Sequence, residues 1–164
     1  MSIEIATVSE ADVTGSELVA AAPLDDAAQT AHGDFLAANA DTIDSERLVA
    51  LQGARVRLRP GTGVDDLADA FGGLMIFVAP DGDPTARVFL ASAVAPASAG
   101  PVELELIASR LAYEDAQKVL TAPRFLVGVS GPTPLGADRA VEFGLRVELD
   151  LAIFKIVTGG GGHG

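Results

Sequence analysis

Residues 140–157, AVEFGLRVELDLAIFKIV, form the stretch that decides the fold. From Val141 to Ile153 every odd position is apolar, while the even positions are charged or small. Alternation with a period of two over this length predicts one long β-strand that buries a single face. Beyond Ile153 the pattern ends, because Phe154 and Ile156 fall on the formerly polar face. We therefore expect either a covered second face there or a bulge that shifts the register.

The composition of the whole chain is that of a folded protein with an aliphatic core. The chain has 164 residues, of which 49% are hydrophobic, and it contains seven Phe, one Tyr and no Trp. This length is typical of one domain with extensions, and it suffices for a core without disulfides or metals. The absence of cysteine excludes disulfides, thiolate metal sites and a cysteine nucleophile.

The charge of the chain restricts its partners. The formal net charge is −12, which opposes binding to nucleic acids and to anionic membranes. The N-terminus has neither a basic region nor an apolar segment of the signal-peptide kind, and no apolar run is long enough for a membrane-spanning helix. We expect a soluble protein that is cytoplasmic or is released without a conventional signal peptide.

Composition divides the chain into three parts. Residues 1–44 are rich in alanine and read as an N-terminal arm, ordered against the body or a neighbouring subunit, or else as a loose surface extension. Within the arm, Asp25 and Asp26 precede a helix predicted over Ala27–Asn39. Residues 45–157 form a β-rich core domain, and residues 158–164 form a flexible Gly-rich tail.

The core domain is expected to contain six or seven mostly antiparallel strands and two or three short helices. Leu74–Val78 is apolar on both faces, which predicts a central strand, and Arg87–Ser92 is its return strand. Phe125–Val129 and Val141–Leu145 are the best candidates for an antiparallel pair. The remaining predicted elements are strands over residues 48–59 and 102–106 and helices over 64–71 and 107–120. The fold class is mainly β, either an antiparallel β-sandwich or an open barrel.

Two loops resemble ligand-binding motifs but lack their key residues. Arg59–Gly63 lies between a strand and a helix, as a phosphate loop would, yet Asp65 and Asp66 occupy the helix N-terminus. Asp81-Gly82-Asp83 resembles part of a calcium loop without the further oxygen ligands that calcium needs. We interpret both as structural turns.

The inventory of catalytic residues is small. His32 and His163 are the only histidines, and we interpret both as surface residues. Ser130 lies near the end of a predicted strand and belongs to no Gly-x-Ser-x-Gly motif.

Acidic residues occur in pairs, namely Glu103/Glu105, Glu114/Asp115 and Glu148/Asp150. Two carboxylates on one strand face could serve a glycosidase, but such sites also use aromatic platforms, and Tyr113 is the only Tyr or Trp. We favour a solvated face opposite Arg55, Arg57 and Arg59, across strands or across a subunit boundary.

The sequence therefore assigns no catalytic, cofactor-binding or metal-binding residue. It favours a non-enzymatic subunit of a homo-oligomeric particle, tube or shell, virion-like or similar, whose partner is a second copy of itself. The alternative is a β-domain that binds a small apolar, lipid-like ligand in space left by Gly128 and Gly144. A third hypothesis is a carboxylate-dependent hydrolase.

Overall fold

The computed structural model describes residues 1–107 and 109–155 as two antiparallel β-sheets with three α-helices. The strands are β1 (Ser2–Ser9), β2 (Val13–Thr14), β3 (Glu17–Pro23), β4 (Arg47–Thr62), β5 (Leu74–Pro80), β6 (Val88–Ala93), β7 (Val102–Glu103), β8 (Glu105–Leu106), β9 (Phe125–Pro132) and β10 (Glu142–Lys155). The helices are α1 (Asp26–Ala38), α2 (Leu67–Ala70) and α3 (Arg110–Leu120).

The two sheets share one core. The first sheet has the strand order β1-β10-β4-β7, and the second has the order β2-β3-β9-β5-β6-β8. Apolar residues of both sheets and of α3 belong to a single buried cluster. The predicted mainly β class is confirmed, and the arrangement is that of a β-sandwich with short helices.

The long strand predicted from the alternation is β10. Its residues Phe143, Leu145, Val147 and Leu149 are buried, as the period of two requires. The pairing with β4 shifts register between Asp150 and Leu151, where Gln52 is the extra residue of a bulge in β4. Of the two expectations for the end of the alternation, the register shift is met, whereas the second face of β10 is not covered there, since Phe154 is 41% exposed.

The second sheet has β5 near its centre, as predicted. This strand pairs with β9 on one side and with β6 on the other. Ile76, Phe77, Val78 and Ala79 are all buried, so both faces of β5 are covered. An apolar run without alternation is typical of such a strand.

One predicted strand pair is wrong. Phe125–Val129 lies in β9 of the second sheet, whereas Val141–Leu145 lies at the start of the first-sheet strand β10. Each of these strands already has two hydrogen-bonded neighbours, β3 and β5 for β9, and β1 and β4 for β10. The loop of residues 133–141 therefore crosses between the sheets instead of closing a hairpin.

The strand predicted over residues 102–106 is divided between the sheets. Glu103 pairs with Arg55 in the first sheet, while Glu105 pairs with Ser92 in the second. Between them Leu104 is buried and donates its backbone N–H to the carbonyl of Ala54 at 2.9 Å. The prediction that the two glutamates lie side by side on one strand face is thus wrong, because the chain changes sheets at Leu104.

The N-terminal segment is ordered on the body of the same chain. β1 pairs with β10, and β3 pairs with β9 over its whole length. Helix α1 begins one residue before the predicted start, and the carboxylate of Asp25 accepts a hydrogen bond from the N–H of Ala28 at 2.8 Å. The predicted Gly-rich tail, residues 158–164, lies outside the described residues.

Candidate functional site

A cleft of about 750 Å³ lies beside the bulge of β4. It is bordered by Met1, by one face of α1, by the bulged part of β4, by the crossing at Leu104 and by β10. The lining residues are Met1, Ala31, His32, Phe35, Gln52, Gly53, Ala54, Arg55, Glu103, Leu104, Leu106, Leu149, Asp150 and Leu151. The sequence did not predict this cleft, because its walls come from five separate segments.

His32 corrects the sequence interpretation, which placed it on the surface. The residue is only 2% exposed, and its Nε2 lies 3.1 Å from the carbonyl oxygen of Ala122. Its ring packs edge-on against Phe125, with the centroids 5.1 Å apart, and stacks on Phe35. Ala28, His32 and Phe35 follow a helical spacing, which is the signal that could have identified a buried face.

The chemistry of His32 is that of a neutral imidazole. Burial lowers its pKa below the ordinary value, against the opposing effect of the backbone carbonyls of Ala122 and Leu120. A carbonyl oxygen only accepts hydrogen bonds, so Nε2 carries the proton and Nδ1 is left as an acceptor. Within residues 1–107 and 109–155, Nδ1 is buried and has no hydrogen-bond partner.

The charged residues near the cleft differ in their pairing. Arg55 forms an ion pair with Glu148 at 3.0 Å, so the predicted contact between arginine and acidic residues across strands is present for these two. Glu103 and Asp150 line the cleft, and neither carboxylate forms an ion pair with another residue of the described chain. The cleft thus combines two acidic groups with one arginine that is already engaged.

Arg59–Thr62 is the end of strand β4, and the tight turn is formed by Gly61–Val64. Gly63 has a φ of +80°, and the backbones of Gly61 and Val64 exchange two hydrogen bonds. A side chain at Gly61 would collide with the carbonyl of Glu142, which requires glycine there. The short helix α2 that follows has its N-terminal N–H groups bonded to the carboxylates of Asp66 and Asp69.

The other sequence candidates are also accounted for by local structure. Asp81–Asp83 forms the turn between β5 and β6, and the carboxylate of Asp83 accepts a hydrogen bond from Thr85 Oγ1 at 2.7 Å. Ser130 is buried within β9. Glu114 is paired with Arg110 at 2.6 Å on α3, and His163 lies outside the described residues. Among residues whose positions are described, no three His, Asp or Glu side chains are grouped as a metal site would require.

The two glycines proposed to leave ligand space do not do so. The ring of Phe77 occupies the position that a side chain at Gly128 would take. Gly144 lies against the backbone of Ala6, whose carbonyl oxygen would be 3.2 Å from an added Cβ. The space for a ligand is at the cleft beside α1 and not at these positions.

The two long strands of the first sheet have edges of different character. On β4, the Gln117 side chain of α3 accepts a hydrogen bond from the N–H of Val49 at 3.0 Å and donates one to its carbonyl at 2.7 Å. A single amide side chain therefore replaces a neighbouring strand at this position. The N–H and C=O groups of Val49 therefore point away from β10. In an antiparallel pair, opposite residues either bond to each other or both point outward, so the N–H and C=O groups of its partner Ile153 point away from β4.

The opposite edge of β10 continues beyond its neighbour β1. The last backbone bonds between these strands join Met1 and Leu149. Leu151, Ile153 and Lys155 then direct their N–H and C=O groups to the side away from β4. No strand pairs with β10 on that side beyond residue 149 in the described part of the chain. We call residues 151–155 the β10 overhang.

Comparisons with known proteins leave the chain unassigned to a family, since no family model, curated protein or solved structure matches it. Within the described ranges, none of the helices has the length and apolar character needed to cross a membrane.

Proposed function

We propose that this chain is a non-enzymatic structural subunit that assembles into a homo-oligomer, such as a particle, tube or shell. The observation that supports self-association is the β10 overhang. It presents a regular backbone edge, and a second copy could add its own overhang there in antiparallel orientation.

The residues of the overhang suit this pairing. Leu-Ala-Ile-Phe-Lys has high strand propensity and contains neither proline nor an acidic residue. Phe154 is 41% exposed, so the overhang also offers a large apolar side chain that a second copy could cover. In a chain with a net charge of −12, a segment without carboxylates is where two copies repel each other least.

The neighbouring edge strand β1 is less suited to this role. Its pairing with β10 is irregular between Ile5 and Val8, and a bulge of this kind discourages the addition of another strand. It also carries Glu4, whose carboxylate is engaged with Arg59 at 3.2 Å. Strand addition is therefore assigned to the overhang and not to β1.

The test compares two substitutions of Ile153. Ile153→Pro removes the N–H group that points to the open edge, while leaving the hydrogen bonds to β4 intact. Ile153→Ala removes most of the side chain but keeps that N–H, and so serves as the matched control. Light scattering coupled to size-exclusion chromatography, run over a range of concentrations, measures the association of all three proteins.

We expect the wild type to associate, and Ile153→Pro to weaken association by at least about tenfold relative to Ile153→Ala. The reason is that each backbone group left without a partner costs about 1–3 kcal/mol. Thermal unfolding establishes that both variants are folded. A wild type that stays monomeric at high concentration, or two folded variants that associate equally, would contradict the proposal.

A further inference from the structure

The outer face of the second sheet, on the side away from the core, is apolar at its centre. The apolar side chains that alternate there with core residues of β3, β5, β6 and β9 include Val19, Ala21, Met75, Phe77, Phe89 and Leu126. Among the described residues, the core cluster contains none of these six, and none is packed against it. Their side chains therefore point away from the first sheet.

Charge is found only at the border of this face. Glu17, at the start of β3, is the one charged residue at the outward positions of β3, β5, β6 and β9, and Arg87 lies just before β6. The outer face of the first sheet, in contrast, carries charged residues such as Arg55, Arg57 and Glu148. Burial of apolar side chains is favourable, whereas burial of charged ones is costly. The second sheet thus has the outer face that suits contact with another protein surface.

The side chain of Arg87 lies across this face. Its guanidinium carbon is 5.0 Å from the centroid of the Phe77 ring, and that ring lies over Gly128. Arg87 approaches the carboxylate of Glu17 with an N–O distance of 3.8 Å, which is too long for a hydrogen bond. The Glu17 side chain is 57% exposed, and an ion pair of this kind contributes little to stability. Both charged groups can therefore exchange this contact for a closer one.

We propose that the outer face of the second sheet is a contact between copies of this chain, packed face to face around a two-fold axis. An axis between Arg87 and Glu17 brings Arg87 of each copy against Glu17 of the other, because a two-fold contact uses the same surface twice. The border is thus complementary to itself, in a chain whose net charge of −12 opposes association elsewhere. The partner, a second copy, is taken from the proposed assembly, but this contact does not require the β10 overhang, which belongs to the first sheet.

Ala21→Glu tests the face without disturbing the core. Ala21 is exposed on β3 opposite Gly128, so a glutamate there is solvated in a free copy and buried among apolar side chains in the contact. Val94→Glu is the matched control, because Val94 is 83% exposed just beyond β6 and the change in net charge is the same. In light scattering coupled to size-exclusion chromatography, we expect Ala21→Glu to associate at least about tenfold more weakly than Val94→Glu.

Exchange of charges distinguishes a contact between copies from one within a chain. Arg87→Glu and Glu17→Arg each place two like charges at the border, so each variant alone should associate at least about tenfold more weakly through this face. An equal mixture of the two should recover association to within about threefold of the parent protein, because each copy then offers the opposite charges to the other. These variants are made in the Ile153→Pro protein, in which pairing through the overhang is removed.

Thermal unfolding establishes that each variant is folded, and the outcomes then separate the two contacts. Pairs that persist in Ile153→Pro and are lost with Ala21→Glu support the face contact. Three results would overturn it, namely a monomeric Ile153→Pro protein at high concentration, equal association of Ala21→Glu and Val94→Glu, or a mixture of the charge variants that associates no better than either alone. Failure of the overhang would appear instead as equal association of Ile153→Pro and Ile153→Ala.

Discussion

At the scale of single residues, the burial of His32 could not be predicted from the local sequence. The Ala-rich composition of α1 suggested a helix with little to bury, and so a histidine in solvent. Its burial depends on Ala122 and Phe125, which are about ninety residues away in the chain. The helix itself was predictable from local residues, whereas the side of the helix that is covered depends on a contact that no local pattern contains.

The lowered pKa of His32 predicts a pH dependence of stability. The unfolded chain has a histidine pKa near about 6.5, and the folded value lies below it. Between these two values the unfolded state binds more protons, so stability is complete above the unfolded pKa and falls as the pH drops through this window. The slope should be at most about 1.4 kcal/mol per pH unit.

Urea unfolding at pH 7.5 and pH 5.5 measures this effect. His32→Phe should remove most of the difference between the two conditions, whatever it does to stability at pH 7.5. His163→Gln is the control, because it removes the other histidine. Equal pH dependence in wild type and His32→Phe would show that His32 does not carry the effect.

Two glycines should respond to alanine in opposite directions. A methyl group at Gly128 would meet the buried ring of Phe77, so Gly128→Ala should destabilise the fold by about 1–3 kcal/mol. Gly33 lies exposed within α1 with open space around it, so Gly33→Ala should stabilise the fold by about 0.5–1 kcal/mol. Chemical denaturation of both variants measures the sign, and a shift in the same direction for both would contradict the structure.

At the scale of elements, alternation predicted β10 well and its pairing poorly. The period of two is a property of the strand itself, and it placed Val141–Ile153 almost entirely within Glu142–Lys155. Which neighbour each strand receives is set by the other sheet and by crossings such as that at Leu104. These depend on the packing of the whole core, so the predicted pair of Phe125–Val129 with Val141–Leu145 failed.

The side chain of Gln117 should be needed to close the edge of β4. Gln117→Leu replaces the amide by a shorter apolar side chain and leaves the N–H and carbonyl of Val49 without partners. We expect a loss of about 1–3 kcal/mol in the free energy of unfolding, with faster hydrogen exchange at the amide of Val49. The adjacent Lys118→Leu is the control, since Lys118 is exposed and should change stability by no more than about 0.5 kcal/mol.

At the scale of the whole molecule, composition and patterning were enough to predict the fold class. A long alternating strand, few helices and an aliphatic core predicted an antiparallel sandwich or an open barrel, and the structure has the sandwich. The cleft could not be predicted, because Met1, His32, Gln52, Leu104 and Asp150 come together only when both sheets and α1 are in place. Sequence periodicity predicts which face of each helix or strand is buried. A site built from five separate segments can be identified only from the tertiary structure.

The closure of one side of the first sheet by Gln117 limits how far assembly can proceed through strand addition. A fibre built by strand addition requires each subunit to have two open sheet edges, so that every added subunit leaves one edge free for the next. Here the edge next to Val49 is bonded within the chain and the edge strand β1 is irregular, so two copies that joined by their overhangs around a two-fold axis would use the regular edge on each. If copies pair as proposed, growth by this route would stop at a pair, and any larger shell would be built from such pairs through a different surface.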